Sequence, residues 1–311
     1  METNNQISDR YDDGIDLRQL FALLWGGKAI IIVTTTVFAI VSVIYALSIS
    51  DQYKAVAVLS PSQKDSGGLS GALGQLGGLA SLAGVSIGGG DSSEAQMAQE
   101  IMKSWNFIET FITDNELAVE VYAVEGWNKG SNRLQVDDDI YDVEKKKWMV
   151  EDVYTGEEGP PSSWQLFEKF SEKLVIAEDP TLGLISVSIE YYSPQIAKQW
   201  LDMFVMAINK HMQERQITKV TTNINYLQEQ IEKTSITEMR EVFYTIIEEQ
   251  IKNKMLAEAS PEYAFVTVSP SMVPEEKSQP KRALICILGT LLGGMLSVLQ
   301  VLARHYTKKS D

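Results

Sequence analysis

The chain has 311 residues, a formal net charge of −15 and 44% apolar residues, the balance of an ordinary soluble protein. The acidity excludes nucleic-acid binding, which needs a basic face. The single cysteine, Cys286, excludes a disulfide framework within the chain.

That average hides strong segregation along the chain. Residues 1–28 are net acidic, and 1–15 are polar. Within them Asp16 reads as an N-cap with Gln19 at the capping-box position, and Leu17, Leu20, Phe21 and Leu24 follow at helical spacing. This predicts a short amphipathic helix at a membrane surface. Residues 29–49 then carry no charge. A run of about 20 apolar residues is what a helix needs to cross a bilayer, and lipid leaves the backbone no other way to satisfy its polar groups. The run is too long, and its leader too long and acidic, for a cleaved signal peptide.

A strand is predicted from Tyr53 to Leu59, stopped at Pro61. Residues 66–90 are rich in Gly, Ser, Ala and Leu. Asp91-Ser92-Ser93-Glu94 is a capping box opening a helix to 104, and Trp105–Asn115 forms a second. Residues 120–160 read as charged and broken, with Asp137-Asp138-Asp139 and Lys145-Lys146-Lys147. Ser162 caps a helix to Glu172. Strands follow at 173–177 and 184–191, parted by a turn at Asp179-Pro180.

The longest feature begins with Ser193 as N-cap and Pro194 at the first helical position, where a missing N–H is harmless. Ile196, Trp200, Phe204, Ala207 and Ile208 make its apolar stripe, which fades between Gln213 and Thr222. A helix polar all round reaches into solvent or packs in an assembly. Ser235-Ile236-Thr237-Glu238 reads as a further capping box. It opens a second long helix striped by Ile236, Met239, Phe243, Ile247, Ile251 and Met255. A strand at Tyr263–Ser269 follows, and Pro270, Pro274 and Pro280 hold the chain extended up to Lys281. Residues 283–303 form a second uncharged span.

Lys28 precedes the first span, and Arg304, Lys308 and Lys309 follow the second, so both termini are expected in the cytoplasm. Lys281 and Arg282 point the other way, but they border a long loop, where the rule is weak. Residues 51–280, which hold 19 Lys+Arg and 36 Asp+Glu, are then exported and carry the acidity. The expected organisation is a cytoplasmic tail with a surface helix (1–28), a first span (29–49), an exported α/β domain (50–282) with a helical projection at 194–259, a second span (283–303) and a cytoplasmic tail (304–311). The fold class is α+β.

No catalytic frame emerges. His211 and His305 fall on opposite sides of the membrane and cannot share a metal. There is no phosphate-binding G-x-x-x-x-G-K-[ST], no dinucleotide fingerprint and no G-x-S-x-G. Asp137 and Asp139 form a D-x-D that reads as an acidic turn. The expectation is a non-enzyme with no catalytic, cofactor-binding or metal residues and no cofactor. Gly289 and Gly293 form a GxxxG followed by Gly294, a pattern that lets a partner helix approach closely, from this chain or a neighbour.

Taken in order, these pieces resemble the chain-length determinant (Wzz-type polysaccharide co-polymerase) family of the Gram-negative inner membrane. The resemblance is carried by Ile15–Leu20 through Leu24-Trp25-Gly26-Gly27-Lys28, by Leu76–Gly84, and by Ser193-Pro194 with Ala197. Pro270, Pro274, Pro280-Lys281-Arg282 and Gly293 carry it into the second span. It implies an α/β base near the membrane, a long helix standing away from it, and protomers assembled in a ring. The implied function is non-enzymatic regulation of surface-polysaccharide chain length, O-antigen above all. The implied partners are other copies of the chain, the inner-membrane polymerase, the growing lipid-linked glycan and membrane lipids. Glu214, Arg215, Lys219 and Glu229 are candidates for contacts between protomers. Relatives with a cytoplasmic tyrosine-kinase domain differ, since only eight residues follow the second span here. Two other readings remain: an adaptor for capsule or exopolysaccharide export, which a neighbouring kinase gene would favour, and a periplasmic sensor, which lacks an output module.

Overall fold

The structure is a computed structural model that describes residues 25–62, 90–151, 156 and 158–310, without the side chains of 90–93 and 305–310. The surface helix at 16–24, the Gly/Leu-rich segment 66–89, and the side chains of the Asp91-Ser92-Ser93 cap and of His305 lie outside the described residues. The chain divides into two compact units. One comprises residues 1–49 with 279–311, the other residues 50–278.

In the first unit, helix α1 (Lys28–Ser48) follows Gly27. Its partner is the helix that closes the chain, Arg282–Ser310, whose apolar part runs to Arg304. Both are long and apolar enough, by length and composition, to cross a membrane.

The second unit is α+β. Its core is a four-stranded antiparallel sheet that includes β1 (Tyr53–Pro61). Three helices follow: α2 (Gly90–Lys103), α3 (Trp105–Asp114) and α4 (Ala118–Tyr122). Ser104 starts α3, its Oγ accepting from the Phe107 N–H. The stretch 120–160, read as broken, instead holds three small antiparallel hairpins. These are β2 (Val124–Asn128) with β3 (Arg133–Val136), β4 (Tyr141–Asp142) with β5 (Lys147–Trp148), and β6 (Val150–Glu151) with β7 (Glu158–Gly159). Strands of two to five residues are too short to show an alternating pattern, which is why the sequence concealed them.

Helix α5 (Ser163–Ser171) starts at the expected Ser162 cap, which the structure extends to a full capping box. Ser162 Oγ accepts from the Gln165 N–H, and the Gln165 side chain returns the bond to the Ser162 N–H. Strand β8 (Leu174–Asp179) and strand β9 (Leu184–Tyr191) follow. The last strand, β10 (Phe265–Ser269), completes the sheet in the order β10-β1-β9-β8. Tyr53 faces Tyr191 and Leu59 faces Ile185 across β1 and β9, and the β1–β10 pairing shifts register between Val58 and Leu59.

The inward row of this sheet, Ala55, Ala57, Leu59, Ile185, Val187, Ile189, Tyr191 and Phe265, lies in one core with α2, α3 and the start of the longest helix, α6 (Pro194–Lys233). Aromatic rings fill its centre. Phe204 meets Phe111 at 5.2 Å and Phe107 at 5.4 Å edge-on, and Trp200 lies 4.4 Å from Tyr191. Such pairs add about 0.5–1.5 kcal/mol each beyond their burial. The stripe of α6 is rotated slightly from the expected one: Ala197, Leu201 and Val205 are buried with Trp200, Phe204 and Ile208, while Ile196 and Ala207 are only partly covered. Pro194 is at the first helical turn, but Ser193 makes no side-chain cap bond.

Candidate functional site

Three features of the described residues are open to function: the helical arm, the proline-rich exit and the seam between the two apolar helices.

The arm starts where α6 leaves the core. Its last members in the common core are Met212 and the partly buried Ile217. Beyond them α6 packs against α7 (Thr237–Glu258), which returns antiparallel after Thr234. The arm is less bare than the sequence implied: Val220, inside the polar stretch, and Ile231 of α6 are buried, as is Ile247 of α7. The Ser235–Glu238 capping box does not form; Ile236 is the N-cap and no side chain caps the helix. The expected stripe of α7 also needs correcting. Ile236, Met239, Ile251 and Met255 are exposed, and the inward face runs through Phe243, Ile246, Ile247, Gln250 and Ala257. Polar residues in that face hid it from a hydropathy reading.

Two polar side chains, both missed in the sequence, clamp the foot of the arm. Gln213 Nε2 donates to the carbonyls of Ala257 (2.8 Å) and Ser260 (3.1 Å), satisfying the end of α7. Buried Asn209 accepts from the N–H groups of Ala264 (2.9 Å) and Phe265 (2.8 Å) and donates to Phe265 O (3.0 Å). Strand β10 thus begins at Phe265, two residues later than the sequence suggested. His211 stacks edge-on against Phe107 at 5.5 Å, a packing role.

Of the four residues expected between protomers, all are exposed on α6. Glu214 and Glu229 each face a lysine of their own helix, Lys210 at 3.8 Å and Lys233 at 2.5 Å. The Lys233 ammonium holds the Glu229 carboxyl below its usual range. The Asp137–Asp139 run is a turn, with Asp137 Oδ1 accepting from the Asp139 N–H at 2.9 Å. Among the described residues no group of three or more His, Cys, Asp or Glu is placed to hold a metal.

The proline-rich exit is tied down by serines. Buried Ser271 donates to Asp202 of α6, and Ser278 donates through its N–H to Gln52 O (2.8 Å) and through its hydroxyl to Glu190. Lys277 lies 3.4 Å from Asp51. Pro270 is exposed, whereas Pro274 and Pro280 are half-buried.

The closing helix, α8 (Arg282–Ser310), packs against α1 along a seam of small residues. A Cβ on Gly289 would fall 1.7 Å from Ser42 Oγ, and one on Gly293 would fall 2.5 Å from Phe38 Cβ. Gly27 likewise has no room, its Cβ position being 2.6 Å from Val301. Gly294 is looser, 4.0 Å from Thr35 Oγ1. The partner at this seam is thus a helix of the same chain. At one end Arg282 donates to the carbonyls of Ala46 (3.1 Å) and Ile49 (3.4 Å), while Lys281 is exposed.

Comparison with known proteins adds the following. Residues 13–115 match the family model described as Wzz, chain length determinant protein. No curated protein matches the chain. Three solved structures are similar to it. A full-length bacterial polysaccharide co-polymerase has 16% identity and a TM-score of 0.38, over 95% of this chain and 99% of that one. A fragment of WzzB, the polysaccharide co-polymerase from Salmonella Typhimurium, has 14% identity and a TM-score of 0.29, over 74% and 100%. A mutant of the Shigella flexneri lipopolysaccharide O-antigen chain-length regulator WzzBSF has 10% identity and a TM-score of 0.20, over 73% and 100%. The two apolar helices and the family match fit an inner-membrane protein with a periplasmic domain.

Proposed function

We propose that this chain, whose residues 13–115 match the Wzz chain length determinant family model, sets the length of a lipid-linked surface polysaccharide, the O-antigen of lipopolysaccharide. It does so without catalysis of its own, as a homo-oligomeric periplasmic scaffold acting on the inner-membrane polymerase and the growing glycan. Both termini are cytoplasmic, and residues 50–282 are periplasmic. The observation that carries this reading is the family match. The α6–α7 arm supports it, since a paired helical projection with exposed apolar residues on its outer side suits assembly with other copies. Glu214, Arg215, Lys219 and Glu229 sit on that arm; exposed ion pairs contribute only about 0–1 kcal/mol each, so apolar packing supplies most of the association. Deletion of the gene, followed by gel separation of surface polysaccharide, tests the reading. The expected result is an altered length distribution with polymer still made. Loss of all polymer, or an unchanged banding pattern, refutes it.

A further inference from the structure

We infer that Arg282 is a positioning residue: its guanidinium, carried by the second span, closes the open carboxyl end of the first span and fixes the register in which the two helices pack. This rests on the reading of both helices as membrane spans, not on what the protein regulates.

The last four carbonyls of a helix have no partner within it. Helix α1 ends at Ser48 with the extended residue Ile49, and its last turn contains no basic residue. At the edge of the hydrocarbon an unpaired carbonyl is costly, and the partial negative charge of the helix end attracts a cation. Arg282 supplies both the charge and the donors. Its Nε reaches Ala46 O and its Nη2 reaches Ile49 O, one carbonyl in the final turn and one at the cap. The rigid fork of a guanidinium is suited to two acceptors at once, whereas a lysine presents a point charge. The adjacent Lys281 carries the same charge and is exposed. The pair therefore divides into one engaged and one solvated cation.

The contact also accounts for an oddity of the sequence. Lys281-Arg282 places two positive charges at the span end where the topology rule does not favour them. Half of that charge is consumed in capping α1. Away from this end the seam runs through Ser42 against Gly289, Phe38 against Gly293 and Gly27 against Val301. A slip of one helical turn, about 5.4 Å, would take each glycine away from the side chain it accommodates. Arg282 holds the seam at its open end, where no glycine fixes the position.

The test uses full-length protein in native membranes. Cys286→Ala removes the only cysteine. Thr35→Cys with Gly294→Cys then places two thiols across the seam, at positions whose side chains are about a disulfide's reach apart. Oxidation should close this bridge within one chain, read as loss of maleimide-reactive thiols. Adding Arg282→Ala should slow closure by about tenfold, the scale of a partly buried cation lost from a helix end. Arg282→Lys should fall between, and Lys281→Ala should close at the parental rate. Closure at the parental rate in Arg282→Ala, or equal slowing in Lys281→Ala, overturns the assignment. If Arg282→Ala does not reach the membrane, Arg282→Lys decides, because an unchanged rate there rejects the two-acceptor role. Polysaccharide length is not read in this experiment, so its outcome and that of the deletion test are independent.

Discussion

Asn209 offers a measure of how firmly the arm is rooted. Replacing it with Leu keeps the branching of the side chain and removes three hydrogen bonds to residues 264 and 265. Ala264 is half-buried, and water can replace its partner. Phe265 is fully buried, and its N–H and carbonyl are left unpaired. A buried polar group without a partner costs about 1–3 kcal/mol, so the two groups together should cost about 3 kcal/mol, the lower half of their range. A domain of this size has a urea dependence of about 3 kcal/mol per molar or somewhat less. The unfolding midpoint should therefore fall by about 1 M. Intrinsic fluorescence of full-length protein in mild detergent follows the transition, since Trp200 is buried in the same core. Asn225→Leu, at an exposed position of the arm, is the control and should leave the midpoint where it was. If Asn209→Leu unfolds at the parental urea concentration, these bonds contribute no net stability and the rooting argument is wrong.

Replacing Gly289 and Gly293 together by Leu forces side chains into Ser42 and Phe38, at about 1–3 kcal/mol each for overpacking. Insertion should stay normal while polysaccharide length control degrades, and unchanged banding would make the glycines incidental. With Cys286→Ala as background, Glu214→Cys and Lys219→Cys should crosslink between chains, and the protein should run as an oligomer in mild detergent. A strictly monomeric, uncrosslinked protein with normal length control rejects the assembly. A reporter active only in the periplasm, fused after Asp311, should be silent, and a signal refutes the topology. Burial raises the Glu120 carboxyl above its ordinary value of 4.5, so the folded state binds that proton more tightly than the unfolded chain does. The ionised group is then a cost at neutral pH, relieved as pH falls through the raised value. Glu120→Gln should raise the melting temperature at pH 7 and lose that advantage below 4.5; an equal gain at both pH values contradicts the sign.

The sequence disclosed those elements whose signals are local. Strand β9 has an inward row of Ile185, Val187, Ile189 and Tyr191, and α5 has its cap, Ser162, directly before it. Both apolar spans are visible as uncharged runs. Hidden features depend on partners far along the chain. Asn209 bonds to residues 55 and 56 positions away, and Gln213 to a carbonyl 44 positions away, so neither pattern appears in any window. The inward face of α7 escaped because it lies against a single helix, where Gln250 can share the contact with Phe243 and Ile247. At the seam, Gly289 and Gly293 were recognisable as a close-approach pattern, but not which helix they meet. Arg282 was visible only as a misplaced charge, because its acceptors are backbone carbonyls more than 230 positions earlier.

Gln213 fixes one end of α7 to one position of α6, and everything beyond that point is a pair of helices joined by a short turn at Thr234–Ile236. The 20 residues of α6 from 214 to 233 span about 30 Å. Removing seven residues from each helix, at facing positions, would shorten this reach by about 10 Å. The core, the sheet and both clamps would keep every contact. Removing them from one helix alone would strand the turn and pull Ala257 away from Gln213. Reach is thus a dimension of this protein that matched insertions or deletions can change while its foundation stays the same.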